Sequence, residues 1–192
     1  MSIKKMKMTA LVFCMVLLSL NLFAQSEKLV FSAVCLCKAE PGLSWIEIMN
    51  PTEKPLVLEK FRFSHIRTTN ILPVEIQEKG GIEIPPGKVF ILCASRKEFF
   101  QKWDVDESMV FEIEAIRHFD EGGFIAIKTK GQRRNALDAV RYGNPSITTE
   151  YENLMGNLVL KWTAGDKSNR LKMSVDGGYE VSIEKTSPGN IY

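Results

Sequence analysis

The stretch Trp45-Ile46-Glu47-Ile48-Met49-Asn50-Pro51-Thr52 alternates strictly before it stops. Ile46 and Ile48 fall on one face and Trp45, Glu47 and Met49 on the other, the period of two expected of a strand with one face against a core. Asn50-Pro51-Thr52 ends the run, because Pro51 brings no N–H to a ladder and asparagine side chains bond their own backbone in turns. The same rhythm recurs on both sides of this stretch. Leu29 to Leu36 is an apolar, β-favouring run closed by the turn signal Glu40-Pro41-Gly42. Downstream, Glu53-Lys54-Pro55 leads to Leu56-Val57-Leu58 and then to Phe61-Arg62-Phe63.

Residues 65 to 79 are irregular and polar. Ile82-Glu83-Ile84 is a short strand closed by Pro85-Pro86-Gly87, and Val89 to Cys93 is apolar on both faces, as a central strand between two covered surfaces would be. Ser95 and Glu98 are spaced for a capping box, and Phe99 and Trp103 recur four apart, which predicts a short helix from Arg96 to Lys102 whose aromatic face lids an open end of the sheets. Met109 to Ile113, Gly123 to Lys128, Ala136 to Tyr142, Leu158 to Trp162, Arg170 to Val175 and Tyr179 to Ile183 read as further strands, with Lys130-Gly131-Gln132 a hairpin turn. Eight or nine short strands, one helix and no βαβ alternation predict an all-β fold, an immunoglobulin-like antiparallel β-sandwich with one short helix.

The 192 residues are 45% hydrophobic and 25% charged, which excludes a disordered tail, a collagen-like rod and a multi-span membrane protein. Lys4, Lys5 and Lys7 precede an apolar run, and Leu22-Phe23-Ala24 puts a small residue at a cleavage position, so residues 1–24 read as a secretory signal and 25–192 as a single domain. The run Thr9 to Phe23 is shorter than the roughly 20 residues a bilayer needs, so no transmembrane span is expected after cleavage. The expected address is periplasmic or extracellular. The whole chain has 25 basic and 23 acidic residues; the segment 1–24 takes away three lysines and no acid, leaving a formal charge of −1. Without a broad positive field, nucleic acid is a poor default partner.

Cys35, Cys37 and Cys93 remain in the exported domain, where disulfides can persist. Cys35 and Cys37 lie two apart on a strand, about 6.6 Å between backbones, near the limit for a bridge. A bond from either to Cys93 is easier if their strands meet; three buried thiols are the alternative. No metal site is expected, since C-x-C with one distant cysteine and the scattered His65 and His118 matches no zinc spacing. Asp104-Val105-Asp106-Glu107-Ser108 and Asp120-Glu121-Gly122 offer calcium-type oxygens but also read as solvated turns.

Trp45 to Thr52 followed by Pro55-Leu56-Val57-Leu58 resembles the opening of lamin-tail-type immunoglobulin-like domains. Ile84-Pro85-Pro86-Gly87 with Val89 to Leu92, Gly122 to Ile127, Asp138-Ala139-Val140-Arg141-Tyr142-Gly143 and Ser187-Pro188-Gly189-Asn190 resemble its later landmarks, in the same order from Leu29 to Asn190. The resemblance implies a β-sandwich in which Trp45, Glu47, Asn50, Pro86, Gly87, Asp138, Tyr142, Gly143, Pro188 and Gly189 are structural. Residues 144 to 178 match little of it.

Each landmark also has a structural reading of its own. Glu47 can pair with a backbone amide or an arginine, Asp138 can fix a hairpin, and Tyr142 can close its strand by tucking its hydroxyl onto the backbone. There is no G-x-S-x-G, H-E-x-x-H, Walker loop or G-x-G-x-x-G, so no catalytic residue and no cofactor is expected. Lys128, Lys130, Arg133 and Arg134 concentrate four charges at a hairpin tip, a solvated turn or a patch for an anionic polymer. The expectation is an exported, non-catalytic binding or structural module whose partner is a protein or an envelope polymer. Anionic-polymer binding through residues 128–134 is the first alternative, and a hydrolase built on loops 65–79 and 144–157 the second.

Overall fold

The computed structural model describes residues 28–65, 81–118, 122–131, 136–143, 159–173, 179–185 and 188–189. The segment 1–24 that the sequence reads as a signal, the loops 65–79 and 144–157 beyond His65, and Asp120, Glu121, Arg133, Arg134 and Asn190 lie outside them.

Strands β1 (Val30–Cys35), β2 (Trp45–Met49), β6 (Val89–Cys93), β7 (Val110–Glu112), β11 (Lys167–Met173) and β12 (Tyr179–Lys185) form a six-stranded sheet in the order β12-β11-β1-β2-β6-β7. Strands β4 (Phe61–His65), β8 (Gly122–Thr129), β9 (Ala136–Gly143) and β10 (Val159–Leu160) form a second sheet in the order β10-β9-β8-β4, and β3 (Leu56–Val57) pairs with β5 (Glu83–Ile84). The fold is an all-β sandwich with one short α-helix, α1 (Arg96–Lys102).

The alternation in β2 sorts its side chains as the sequence predicts. Ile46 and Ile48 enter the main core with Phe31, Phe90 and Leu92 from the large sheet and Phe63, Ile125, Ile127, Val140 and Tyr142 from the small one. Phe63 meets Phe90 edge-on across the two layers, with ring centroids 5.6 Å apart. Burial of each such side chain stabilises the fold by about 1.5–3 kcal/mol, which is why register is firmly held: a slip of one residue would reverse every face.

The other face of β2 builds a second, smaller core. Trp45 packs there with Ala33, Cys35, Ile91, Cys93, Phe99 and Val110, and Trp103 stands edge-on to Trp45 at 6.1 Å. Helix α1 therefore covers the outer face of the six-stranded sheet; it does not lid an open end. Its start is capped as expected, the Glu98 N–H donating to Ser95 Oγ at 3.3 Å. With the core on one face and α1 on the other, all five residues of β6 are buried.

Two strand pairs depart from the antiparallel expectation. β7 runs parallel to β6 after the α1 crossover, so residues 89–112 form one small βαβ unit, and β10 runs parallel to β9. The described residues carry twelve strands against the eight or nine expected in total; the two-residue pairings β3, β5 and β10 fall within Leu56–Leu58, Ile82–Ile84 and Leu158–Trp162, stretches the sequence does mark.

Pro85-Pro86-Gly87-Lys88 is a tight turn in which the Lys88 N–H donates to the Pro85 carbonyl at 3.1 Å. Gly87 sits at φ +66°, a conformation that favours glycine, and Pro86, one position earlier in the turn, has its own φ fixed by its ring.

Candidate functional site

Glu47 lies at the centre of the outer face of the large sheet and is 0% exposed. Its carboxylate accepts from Ser32 Oγ at 2.8 Å, from the Arg170 guanidinium at 2.8 Å and from the Gly189 N–H at 2.7 Å. The donors come from three places in the chain: the first strand, β11 and the turn beyond β12. Arg170 reaches Glu47 because it pairs opposite Ala33 on β1, one strand away from β2. Its side chain is 19% exposed, so the ion pair is largely withdrawn from water. A groove of about 690 Å³ lies over the pair, bordered by Met49, Lys172, Glu180, Ser182 and Glu184.

Asp138 points the other way, into the space between the sheets, and is buried. It accepts from the Phe31 N–H at 2.9 Å, from its neighbour Ala139 N–H at 2.9 Å and from the Tyr179 hydroxyl. Phe31 flanks a register shift in β1, where one backbone donor is turned out of the ladder; Asp138 satisfies it from the opposite sheet. The expectation that Asp138 fixes its own hairpin is thus corrected: it ties β9 to β1 and β12. Burial pushes its carboxyl above the usual carboxylate range, against the opposing pull of the three donors. Burial, then the nearby Asp138 charge, likewise raises Tyr179.

Asn50 is 0% exposed and uses its whole hydrogen-bonding capacity. Its amide donates to the Lys54 and Ile84 carbonyls at 2.7 and 2.8 Å, and its oxygen accepts from the Thr52 N–H and hydroxyl at 2.9 and 2.7 Å. The Gly87 N–H donates to the Asn50 carbonyl at 2.9 Å, which joins the Asn50 and Pro86-Gly87 turns. Tyr142 belongs to the main core, edge-on to Trp162 at 6.0 Å, and Gly143 ends β9 at φ +70°.

The cysteines sit around Trp45 and are free. In register, Trp45 lies opposite Cys35 on one side and Cys93 on the other, so β2 separates the two thiol strands by about twice the 4.8 Å strand spacing. That exceeds the roughly 7 Å limit for a bridge, so the strands whose meeting would have favoured a Cys35–Cys93 bond are held apart. Burial pushes the Cys35 and Cys93 thiols up to about 12.

Among the described residues no group of three or more His, Cys, Asp or Glu side chains converges as a metal site would require. Asp106 caps a 3-10 turn by accepting from Ser108, and these bonds hold its carboxyl below the usual range. Of the basic tip, Lys128 and Lys130 are described and Arg133 and Arg134 are not. Arg62 on β4 stands directly opposite Lys128, and the Lys130 N–H donates to the carbonyl of Lys60 in the turn just before β4 at 2.7 Å, so β4 and the turn leading into it add two cations that the hairpin sequence alone did not reveal.

The landmark residues do not gather in one cleft. Glu47 and the Pro188-Gly189 turn meet on the outer face, Asp138 and Tyr142 face the interior from β9, and the lysines lie at the far end of β8. Sequence reading missed Arg170, Tyr179 and Asn169. Asn169 is 0% exposed and ties β11 to the segment after β10, bonding the Val34 and Lys161 carbonyls and accepting from the Lys161 N–H. Only Arg170 to Met173 alternates in this strand; Lys167 to Arg170 is a polar run that gave no signal for a buried Asn169.

No family model matches the chain, and no curated protein matches it. A solved structure similar to it is the crystal structure of a DUF4876 family protein from Bacteroides thetaiotaomicron VPI-5482, at 13% identity and a TM-score of 0.45, covering 86% of this chain and 72% of that one.

Proposed function

We propose that the chain is an exported, non-catalytic binding or structural module of the cell envelope, of lamin-tail type. The observation that carries this reading is the state of Glu47: a carboxylate at 0% exposure, with an arginine, a hydroxyl and a backbone amide all aimed at it, is occupied with holding the chain together. Asp138 and Asn50 are committed in the same way. With three donors on each carboxylate, most of their acceptor positions are taken by the chain itself, and a general base must be within hydrogen-bond distance of the proton it takes. The lysine-led apolar segment at 4–23 supports export.

The test has two arms. Fusion of residues 1–24 to a reporter active only outside the cytoplasm should give activity, and replacing Leu17 and Leu18 by arginine should abolish it. Residues 25–192, offered ester, glycoside and phosphate chromogenic substrates, should show no turnover that Glu47→Gln or Asp138→Asn removes. Turnover lost in either variant while the fold persists would overturn the non-catalytic reading.

A second reading has an observation of its own. Arg62 opposite Lys128, a like-charge cross-strand pair that ordinarily costs stability, widens the basic tip into a patch for an anionic polymer. Retention on heparin or DNA should then fall when Arg62, Arg133 and Arg134 are changed to glutamate, and indifference to that change discards it.

A further inference from the structure

Strand β12 pairs with β11 along its whole length, Tyr179 to Lys185, and among the described residues with no other strand. An edge of seven residues turns every second N–H and C=O outward, a template on which another extended chain can add. It is open: Glu180 and the run Ser182 to Lys185 are exposed, and Ile183 is 46% exposed, the exposed large hydrophobic side chain among the described residues.

It is also held. The Tyr179 hydroxyl donates to Asp138 at one end, and four residues past the other end the Gly189 N–H donates to Glu47. An edge clamped at both ends loses little freedom when a partner adds, which favours binding.

The two faces of β12 differ in chemistry. Tyr179 and Val181 pack against the main core, and Ile183 continues that face. Glu180, Ser182 and Glu184 look onto the outer groove of about 690 Å³. Lys172 stands opposite Glu180, whereas Glu184 stands opposite Ser168 and accepts from the Ser182 hydroxyl, leaving the outer rim of the edge acidic.

We propose that β12 is a docking edge for an extended segment of another protein, one that alternates apolar residues with lysine or arginine. The segment adds antiparallel to β12, lays its apolar residues beside Val181 and Ile183, and sends its cations over Glu180 and Glu184. Full overlap with β12 of a second copy is disfavoured. Antiparallel self-pairing centred on Ser182 sets Glu180 of each copy opposite Glu184 of the other, and like charges directly opposite are destabilising. The inference rests on the binding-module reading and names the partner chemistry of that module.

The experiment uses residues 25–192 and two labelled probes: a seven-residue peptide alternating lysine and valine, and its glutamate-valine counterpart. Anisotropy titration should show binding of the lysine peptide, with slowed amide exchange in β12. The double variant Glu180→Lys/Glu184→Lys, both sites being exposed, should keep its fold, bind the lysine peptide at least about tenfold more weakly and gain affinity for the glutamate peptide. A lysine peptide of the same composition with its lysines and valines in two blocks should bind more weakly than the alternating one, equal binding counting as no strand addition and overturning the proposal as well. Three other results would overturn the proposal: no binding of the lysine peptide, equal affinity of the wild type and the double variant for it, or dimerisation of the chain through β12. Each leaves the turnover assay untouched, so loss of the docking edge and loss of the non-catalytic reading are read separately.

Discussion

Replacing Glu47 by glutamine keeps the shape of the side chain and removes its charge. The amide oxygen can keep the Oε1 position, where Ser32 and Arg170 both donate, which turns the new NH2 group onto the Gly189 N–H, and Arg170 loses its counter-ion while its side chain is only 19% exposed. Removing one partner of a fully buried pair typically costs 3–5 kcal/mol; because water still reaches part of Arg170, we expect about 3 kcal/mol here. For a domain of this size each kcal/mol moves the midpoint by roughly 2–4 °C, so calorimetry should record a drop of about 6–12 °C. Urea unfolding should show the same loss as a lower midpoint at unchanged slope.

Two companion measurements make the reasoning strict. Amide exchange at Gly189 should accelerate in Glu47→Gln, because that N–H loses its carboxylate acceptor. In a double-mutant cycle, Glu47→Gln with Arg170→Met should cost clearly less than the two single losses added, since each single variant strands the other group. A Glu47→Gln protein that melts within about 1 °C of the wild type, with Gly189 exchange unchanged, would refute the assignment of Glu47 to the scaffold and leave the carboxylate free for chemistry.

Asp138 predicts an unusual pH dependence. A buried acid whose pKa is raised binds its proton more tightly folded than unfolded, so its contribution is fully present below the ordinary carboxylate value near 3.8 and is lost as pH rises towards the raised value. Urea midpoints of the wild type against Asp138→Asn should therefore diverge over that window, the wild type losing stability relative to the variant; parallel curves would refute it. Asn50→Ala strands the buried Ile84 carbonyl and dissolves the Thr52 turn, and should cost about 2–4 kcal/mol in urea unfolding, a loss under about 1 kcal/mol being the contrary result. Cys35, Cys37 and Cys93 should resist iodoacetamide at pH 8 in the native protein and all react in denaturant without reductant, burial holding Cys35 and Cys93 near 12; two thiols that react only after reduction would show a disulfide.

Much of this architecture was legible because period-two patterning and turn chemistry are local. β2, β6 and the capped helix fall where Trp45–Met49, Val89–Cys93 and Ser95–Glu98 place them. What the sequence could not carry is which strands are neighbours. Cys35 and Cys93 look like partners until β2 is found between them, and the aromatic face of α1 looks like an end cap until Trp45 is found on the outer face of the sheet. The parallel placement of β7 beside β6 is of the same kind, since a seven-residue helix between two short apolar runs says nothing of the direction in which the chain returns. The site suffers most from this: Arg170 is 123 positions from Glu47 and Gly189 is 142, so no local spacing could announce their meeting.

Those long separations bear on how β12 is presented. A terminal strand on a sheet edge is ordinarily the first element to fray, because it has one neighbour and few buried contacts. Here the two most withdrawn carboxylates among the described residues, Glu47 on the outer face and Asp138 between the layers, grip the chain on either side of β12, one at Gly189 and one at Tyr179. Buried carboxylates carry a desolvation cost, and nothing about stability alone requires both to act on the same edge. Their joint effect is to hold an exposed, acidic, half-apolar strand in one conformation. If holding that edge is what the two carboxylates do, then Glu47→Gln and Asp138→Asn should each weaken the lysine-valine peptide at temperatures where both variants remain folded, although neither side chain touches it. Undiminished affinity in both variants would separate the clamp from the edge and leave the carboxylates with the fold alone.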